Sequence, residues 1–274
     1  MSKAVSRTAW NALAGMALCL LYGLAGCGSS DDDVNYVERP VEVLYNNALD
    51  ELGAQEYKAA AKGFEEVDRQ HPYSVWATKA QIMAAFAYYQ SNKYDEAIIA
   101  LDRFIQLHPG HRDIPYAYYL KALCYYEQIS DVGRDQRMTQ QALDALAEVV
   151  KRFPESPYAR DSRLKVELAI DHLAGKEMAV GRFYQQNKQY VGAINRYRVV
   201  IERYQTTTHV PEALHRLVES YLSLGVKSEA QEAAAVLGYN FPGSEWYQDS
   251  YYLMTGEGTP APSDEKSGWF FGLF

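Results

Sequence analysis

The sequence predicts an all-α protein: an α-solenoid of five helix pairs closed by a C-terminal capping helix. Three observations predict it. Alanine recurs at Ala60, Ala97, Ala142, Ala193 and Ala230, each followed by large or apolar residues four and seven positions later. Proline stands twelve residues after four of these alanines, at Pro72, Pro109, Pro154 and Pro242. No segment alternates apolar and polar residues with a period of two over any length, so no sheet is expected.

Each element follows from this register. The residues at +4 are Phe64, Leu101, Leu146, Tyr197 and Ala234, and those at +7 are Val67, Phe104, Val149, Val200 and Leu237. Together with the alanine they form one face of a helix. The small alanine lets that helix approach a neighbour closely. The proline ends it, because proline cannot continue the hydrogen-bond ladder. Ser74, Ser156 and Ser244 come two residues after a proline and suit the N-cap of the next helix. Each unit is therefore helix A, turn, helix B, proline, serine. A unit so small cannot bury its apolar face alone, and stacking does so. The alanines at 60 and 97 lie 37 residues apart, so the repeats are of tetratricopeptide type with a longer period.

The predicted repeats run over 41–73, 74–109, 110–154, 155–209 and 210–242, with a cap over 244–254. The extra length of the third repeat falls in the polar segment Gln128 to Met138. That of the fourth suits a long helix A over Ala159 to Leu173, with Leu164, Leu168 and Leu173 on its apolar face. Residues 27–40, with Asp31, Asp32 and Asp33, read as a disordered tether. Residues 255–274 read as a flexible tail: a Gly/Pro/Ser/Thr-rich linker, then Trp269-Phe270-Phe271-Gly272-Leu273-Phe274. Three readings of that aromatic end stand open: packing on the last repeat, contact with a membrane interface, or docking to a partner protein.

Residues 1–26 read as a secretory signal. Lys3 and Arg7 precede a mostly apolar run from Ala12 to Leu24, too short to span a bilayer. Leu24-Ala25-Gly26-Cys27 has the form of a bacterial lipobox. The expectation is cleavage before Cys27, an S-diacylglycerol and an N-acyl chain (palmitate) on that residue, and no other cofactor. Two or more chains anchor a protein stably. With no Asp after Cys27, the signal resembles those sorted to the outer membrane of enteric bacteria, on its periplasmic side. Removing Lys3 and Arg7 takes the net charge from −8 to −10, which argues against a nucleic-acid partner. Cys19 leaves with the signal and Cys27 is alkylated. Cys124 is then the one free thiol, read as a buried small hydrophobe.

Little in the chain points to catalysis, and no enzyme is expected. There is no G-x-S-x-G, no phosphate-binding glycine loop and no H-E-x-x-H. His108 and His111 flank a proline turn with no third ligand nearby, so no metal site is expected. The 23 tyrosines are more suggestive. Tyr45, Tyr73, Trp76 and Tyr89 fall on the predicted A helices or the turns feeding them. Such helices line a concave surface, and tyrosine, with an apolar body and one polar tip, suits recognition of an extended or helical peptide there. At least half of the tyrosines are expected in the core between repeats.

A lipobox followed by these repeats resembles the BamD lipoprotein family of the outer-membrane β-barrel assembly machinery. The resemblance covers the chain from Cys27 to about Met254. Its most specific stretches are Ala85-Phe86-Ala87-Tyr88-Tyr89, Ile99 to Ile105, and Val180-Gly181-Arg182-Phe183-Tyr184 leading to Tyr190 to Arg196. The resemblance implies a non-enzymatic scaffold. Its C-terminal repeats would dock on a POTRA domain of BamA, with Arg196 and Tyr184 at that contact. Its N-terminal repeats would receive unfolded outer membrane protein precursors. Lys58 stands where the family often has arginine near the precursor site, and His71 where some members carry an aromatic residue. Other lipoproteins of the machinery are implied as partners. The runners-up are a pilotin, a Tol–Pal coordinator and an activator of cell-wall synthesis; the long fourth repeat favours the first reading over the pilotin and the Tol–Pal coordinator.

Overall fold

The computed structural model describes residues 38–257. Cys27, the tether before residue 38 and the Trp269–Phe274 segment lie outside them. Among the described residues there are eleven helices and no strand. The A helices are α1 (Val41–Gly53), α3 (Val75–Gln90), α5 (Ile114–Tyr126), α7 (Pro157–Gln186) and α9 (Val210–Ser223). The B helices are α2 (Tyr57–Gln70), α4 (Tyr94–Leu107), α6 (Arg137–Arg152), α8 (Tyr190–Arg203) and α10 (Lys227–Asn240). Helix α11 (Glu245–Thr255) follows as a cap and packs on α9 and α10. Each helix otherwise packs on its neighbours in sequence. The core is accordingly strung along the axis as successive clusters.

The alanine register forms the seam. Ala60, Ala97, Ala142, Ala193 and Ala230 are fully buried, as are the +7 residues; every +4 residue is buried too. A methyl group at the crossing lets the flanking helices close to the short end of the usual 8–10 Å range. Cys124 is buried beside Leu120 and Ala117, and burial pushes its thiol up to about 12.

The B helices end alike. His71, His108, Phe153, Tyr204 and Phe241 share φ between −123° and −134° and ψ between 43° and 56°. A following proline forbids the α region to these residues. Tyr204 adopts the same geometry before Gln205, where no proline compels it. There the packing of its ring on the core and a hydrogen bond donated by the Thr207 hydroxyl to its carbonyl (2.8 Å) hold the exit. The turns inside the pairs are equally regular. Gln55, Asn92, Lys188 and Gly225, each five residues before the alanine, have φ between 58° and 78°. Only glycine and asparagine accept that left-handed region readily.

Two expectations need correction. Ser74 and Ser244 accept hydrogen bonds from the N–H groups of Ala77 and Tyr247, both at 3.1 Å. Ser156 occupies the corresponding place but makes no such bond, and the start of α7 is set by Pro157, whose fixed φ suits the first helical position. Helix α7 also runs well past Leu173, over 30 residues. Leu164 and Leu168 lie on its exposed side; the N-terminal half is buried through the smaller Ala159, Ser162 and Ala169, and only Leu173 of the three leucines is buried.

Overpacking the seam with Ala142→Leu should destabilise the protein by about 1–3 kcal/mol, whereas Ile99→Ala, on the surface, should cost under about 0.5 kcal/mol. Lys188→Gly should stabilise by up to about 1 kcal/mol by relieving the left-handed residue. Urea unfolding followed by circular dichroism checks all three.

Candidate protein-binding site

The A-helix tyrosines tie neighbouring helices together. The Tyr88 hydroxyl on α3 donates to Glu65 on α2 at 2.6 Å. Tyr89 on α3 donates to Glu127 after α5 at 3.2 Å, and Tyr119 on α5 to Asp161 on α7 at 2.7 Å. Burial first, and the acidic partner next, push the hydroxyls of Tyr88 and Tyr119 well above the ordinary tyrosine range. Tyr119 also stacks on Tyr158, with ring centroids 5.1 Å apart.

This arrangement revises the expected groove. Tyr45 is a core residue, its ring 5.4 Å from Phe64 and 4.9 Å from Trp76. Trp76 is half-buried in the same cluster, with the Lys79 ammonium 5.2 Å from its ring. Tyr89 is a strut. Tyr73 is fully exposed in the turn after α2, beside half-buried His71. Lys58 is exposed at the opposite end of α2, about 20 Å away along a helix of this length. The six residues therefore do not converge on one site.

A different set of surfaces recurs with the repeat. Successive B helices flank grooves floored by the A helix between them. Each groove takes residues at −1, +3 and +6 from the alanine of its second B helix. Between α2 and α4 these are Glu96, Ala100 and Arg103; between α8 and α10 they are Glu229, Ala233 and Val236. A tyrosine nine residues before the alanine closes the floor in both, Tyr88 and Tyr221.

The repeat bearing α8 is built differently at these positions. Gly192 stands at −1, Arg196 at +3 and Tyr184 at −9. Arg196 Nη1 donates to Glu177 Oε2 of α7 at 3.1 Å, and the Tyr184 side chain lies near the guanidinium. The Glu177 hydrogen bond and charge, with Tyr184 adding to them against partial desolvation, hold the Arg196 pKa above its ordinary value. The Tyr184 ring can lie here because residue 192 is glycine: a Cβ would meet that ring at 3.2 Å. The Arg196 side chain keeps about two-fifths of its surface in water. Arg196 and Tyr184, assigned from resemblance, are thus brought together. Glu177 and Gly192 were missed in the sequence, though the repeat register points to both.

The match of sequence to known proteins decides the family. The model of the YfiO family, described as an outer membrane lipoprotein, matches residues 37–237. An outer membrane protein assembly factor BamD of Caulobacter vibrioides is 50% identical over 255 residues, covering 92% of this chain and 84% of its own. The chain belongs to the BamD family. The BamD of Rickettsia prowazekii is 47% identical, covering 84% of this chain and 92% of its own, and that of Neisseria meningitidis serogroup A is 35% identical, covering 84% and 91%. The family region takes in α1 to most of α10 and stops short of α11.

Beside Arg196 a polar junction joins the last two repeats of this BamD-family chain. Arg182 on α7 donates to both Glu212 carboxylate oxygens on α9, at 2.9 and 3.0 Å. The buried Tyr197 hydroxyl donates to Gln185 at 2.7 Å, and the Gln185 amide donates to Glu219 at 2.9 Å. Arg216 donates to Glu219 at 2.8 Å and lies 5.5 Å from the Trp246 ring of α11. His215 shares a 2.8 Å hydrogen bond with Ser250 of α11. Burial disfavours the charged Glu219, but hydrogen bonds from His215, Arg216 and Gln185 outweigh it and hold its carboxyl at about 2. Helices α7 and α8 meet where Gly181 faces Tyr197, and a Cβ at 181 would come within 2.4 Å of that ring.

The other chemistry-bearing groups are engaged in packing. His108 hydrogen-bonds Gln81 at 3.0 Å, and both His108 and His111 lie against Phe104. No group of three or more metal-ligating side chains occurs among the described residues, and none of their helices is long and apolar enough to cross a membrane.

Gly181→Ala should cost about 1–3 kcal/mol, because the Tyr197 ring it strikes is enclosed; thermal unfolding measures it. The Glu219 carboxyl is lowered on folding, so its contribution is complete above the unfolded value near 4.5 and is lost as pH falls towards about 2. Glu219→Gln should therefore flatten the fall in stability between pH 5 and 2, read by denaturant titrations at each pH.

Proposed function

We propose that this chain is a lipid-anchored, non-enzymatic scaffold that helps assemble outer membrane proteins from the periplasmic side of the outer membrane. The observation that carries the reading is identity of 50% across 92% of the chain to a protein named as an outer membrane protein assembly factor. The family description as a lipoprotein supports acylation of Cys27. Lipid there would restrict the solenoid to the membrane surface, where the machinery's other subunits would meet it.

Within that role the C-terminal repeats would bind a BamA-type barrel through its POTRA domains. Arg196 suits the contact: one guanidinium nitrogen is committed to Glu177, and the exposed remainder can make a forked pair with a partner carboxylate. Tyr184 orients it. The N-terminal repeats would receive unfolded precursors, with Lys58, Tyr73 and His71 as contacts at the two ends of α2. Binding and positioning account for the role without a catalytic group.

Affinity purification of the tagged protein from membranes in mild detergent tests the reading. A co-purified barrel with POTRA domains is the expected result; a secretin or a cell-wall synthase in its place would overturn it. Arg196→Ala should reduce the recovered barrel at least fivefold with unchanged circular dichroism. Arg196→Lys should rescue little, since an ammonium cannot form the forked pair. Cys27→Ser should move the protein from the membrane to the soluble fraction.

A further inference from the structure

The recurring grooves differ in what fills them. The one between α2 and α4 is lined by Phe64, Ala84, Ile99 and Ala100, and polar groups satisfy one another across its gap. Asp68 pairs with Arg103 at 3.1 Å and accepts from Gln81 at 2.8 Å, while Tyr88 binds Glu65. The one between α4 and α6 is bridged at its edges by Lys121 with Asp102 and by Tyr118 with Arg152. On α7 and α8, the side chains of Glu177, Tyr184 and Arg196 occupy the corresponding positions. The last groove, between α8 and α10, has an apolar floor. Ile201, Leu214 and Leu217 line it, with Ala233 and half-exposed Val236 on its far wall. Its volume is about 370 Å³, against about 230 Å³ for the one between α2 and α4. Its charges lie on the rim, where Arg198 pairs with Glu202 of its own helix and Glu229 and Glu232 stand opposite.

We propose that this groove is the intramolecular docking site of the chain's own Trp269–Phe274 segment. Reach and composition agree. Helix α11 packs on α9 and α10, the floor and far wall of the groove, and ends at Gly256 in a left-handed turn. The eleven residues 258–268 can span up to about 36 Å, more than the roughly 21 Å length of the 14-residue helices that bound the groove. Their Gly, Pro and Ser content offers no apolar face of its own. The six residues after them hold five large apolar side chains, and an apolar floor with a polar rim is the surface such side chains cover. The segment itself carries no charged side chain, so none is buried when it covers the floor; Asp264, Glu265 and Lys266 lie in the linker, outside the groove's apolar floor. The docked segment would hold α8, α9 and α10 together across the last repeat and keep the groove from other apolar segments.

The chain from Gly28 onward retains all eleven described helices and serves for the test. A benzophenone photo-crosslinker replaces Phe271, and the products are mapped by peptide mass spectrometry. Crosslinks within one chain to Leu214, Leu217 or the α10 wall are expected. Val236→Glu, at a half-exposed position that leaves the core intact, should reduce their yield at least fivefold. Val43→Glu, at the far end of the solenoid, should not change it. Crosslinks to the outer face of α11, crosslinks between two copies, absence of crosslinks, or a yield indifferent to Val236→Glu would each overturn the proposal.

Discussion

Everything in this molecule rests on helices brought close at five alanines. No single pair of helices here encloses a core. Each B helix places a methyl group where its neighbours cross, and the large residues one and two turns later fill the space on either side. Because the same three positions serve both the pair and the stack, the angle within a pair also sets the placement of the next one. The solenoid, the grooves between B helices and the exposure of particular side chains in those grooves follow from that repeated contact.

Stacking alone leaves some freedom between repeats, and polar side chains restrict it. In the first half, tyrosine hydroxyls reach across to acids on adjacent elements, so that an apolar ring and a directional hydrogen bond act from one residue. In the second half, the Arg182, Gln185, Glu212, Arg216 and Glu219 network links α7 to α9, with Tyr197 adding α8 and His215 adding α11. These groups are partly withdrawn from water, where an unpaired member would be costly and a satisfied network holds one geometry. The region proposed to face BamA is thereby built on a stiff base.

The grooves show how a repeat protein diversifies without altering its backbone. Position +3 is alanine in three B helices, Gly63 in the first and Arg196 in the fourth; position −1 is glycine only where a tyrosine ring must lie across it. Swapping side chains at a few register positions leaves one groove bridged by paired polar groups, gives another an exposed cation and leaves a third with an unbridged apolar floor and charges on its rim. A scaffold that acts by binding can assign its repeats to different partners in this way.

The helix pairs, their order and the buried faces were legible in the sequence, because a residue's burial on a stacked helix follows from its period alone. Cys124 as a core residue was legible for the same reason. The tyrosines were not. Tyr45, Tyr89 and Tyr73 are the same residue type on or beside similar elements, yet one is core, one is a strut and one is fully exposed. Leu164 and Leu168 misled in the opposite sense, since the spacing of apolar residues shows that they share a face and not which face meets a neighbour. The sequence by itself determined the repeat, the helices and the seam, which depend on local periodicity and chain-breaking residues. Only the tertiary structure decided which polar tips find partners, where Arg196 and Tyr184 meet, and which groove is left unbridged by polar pairs, because those outcomes depend on residues tens of positions apart brought within a few ångströms.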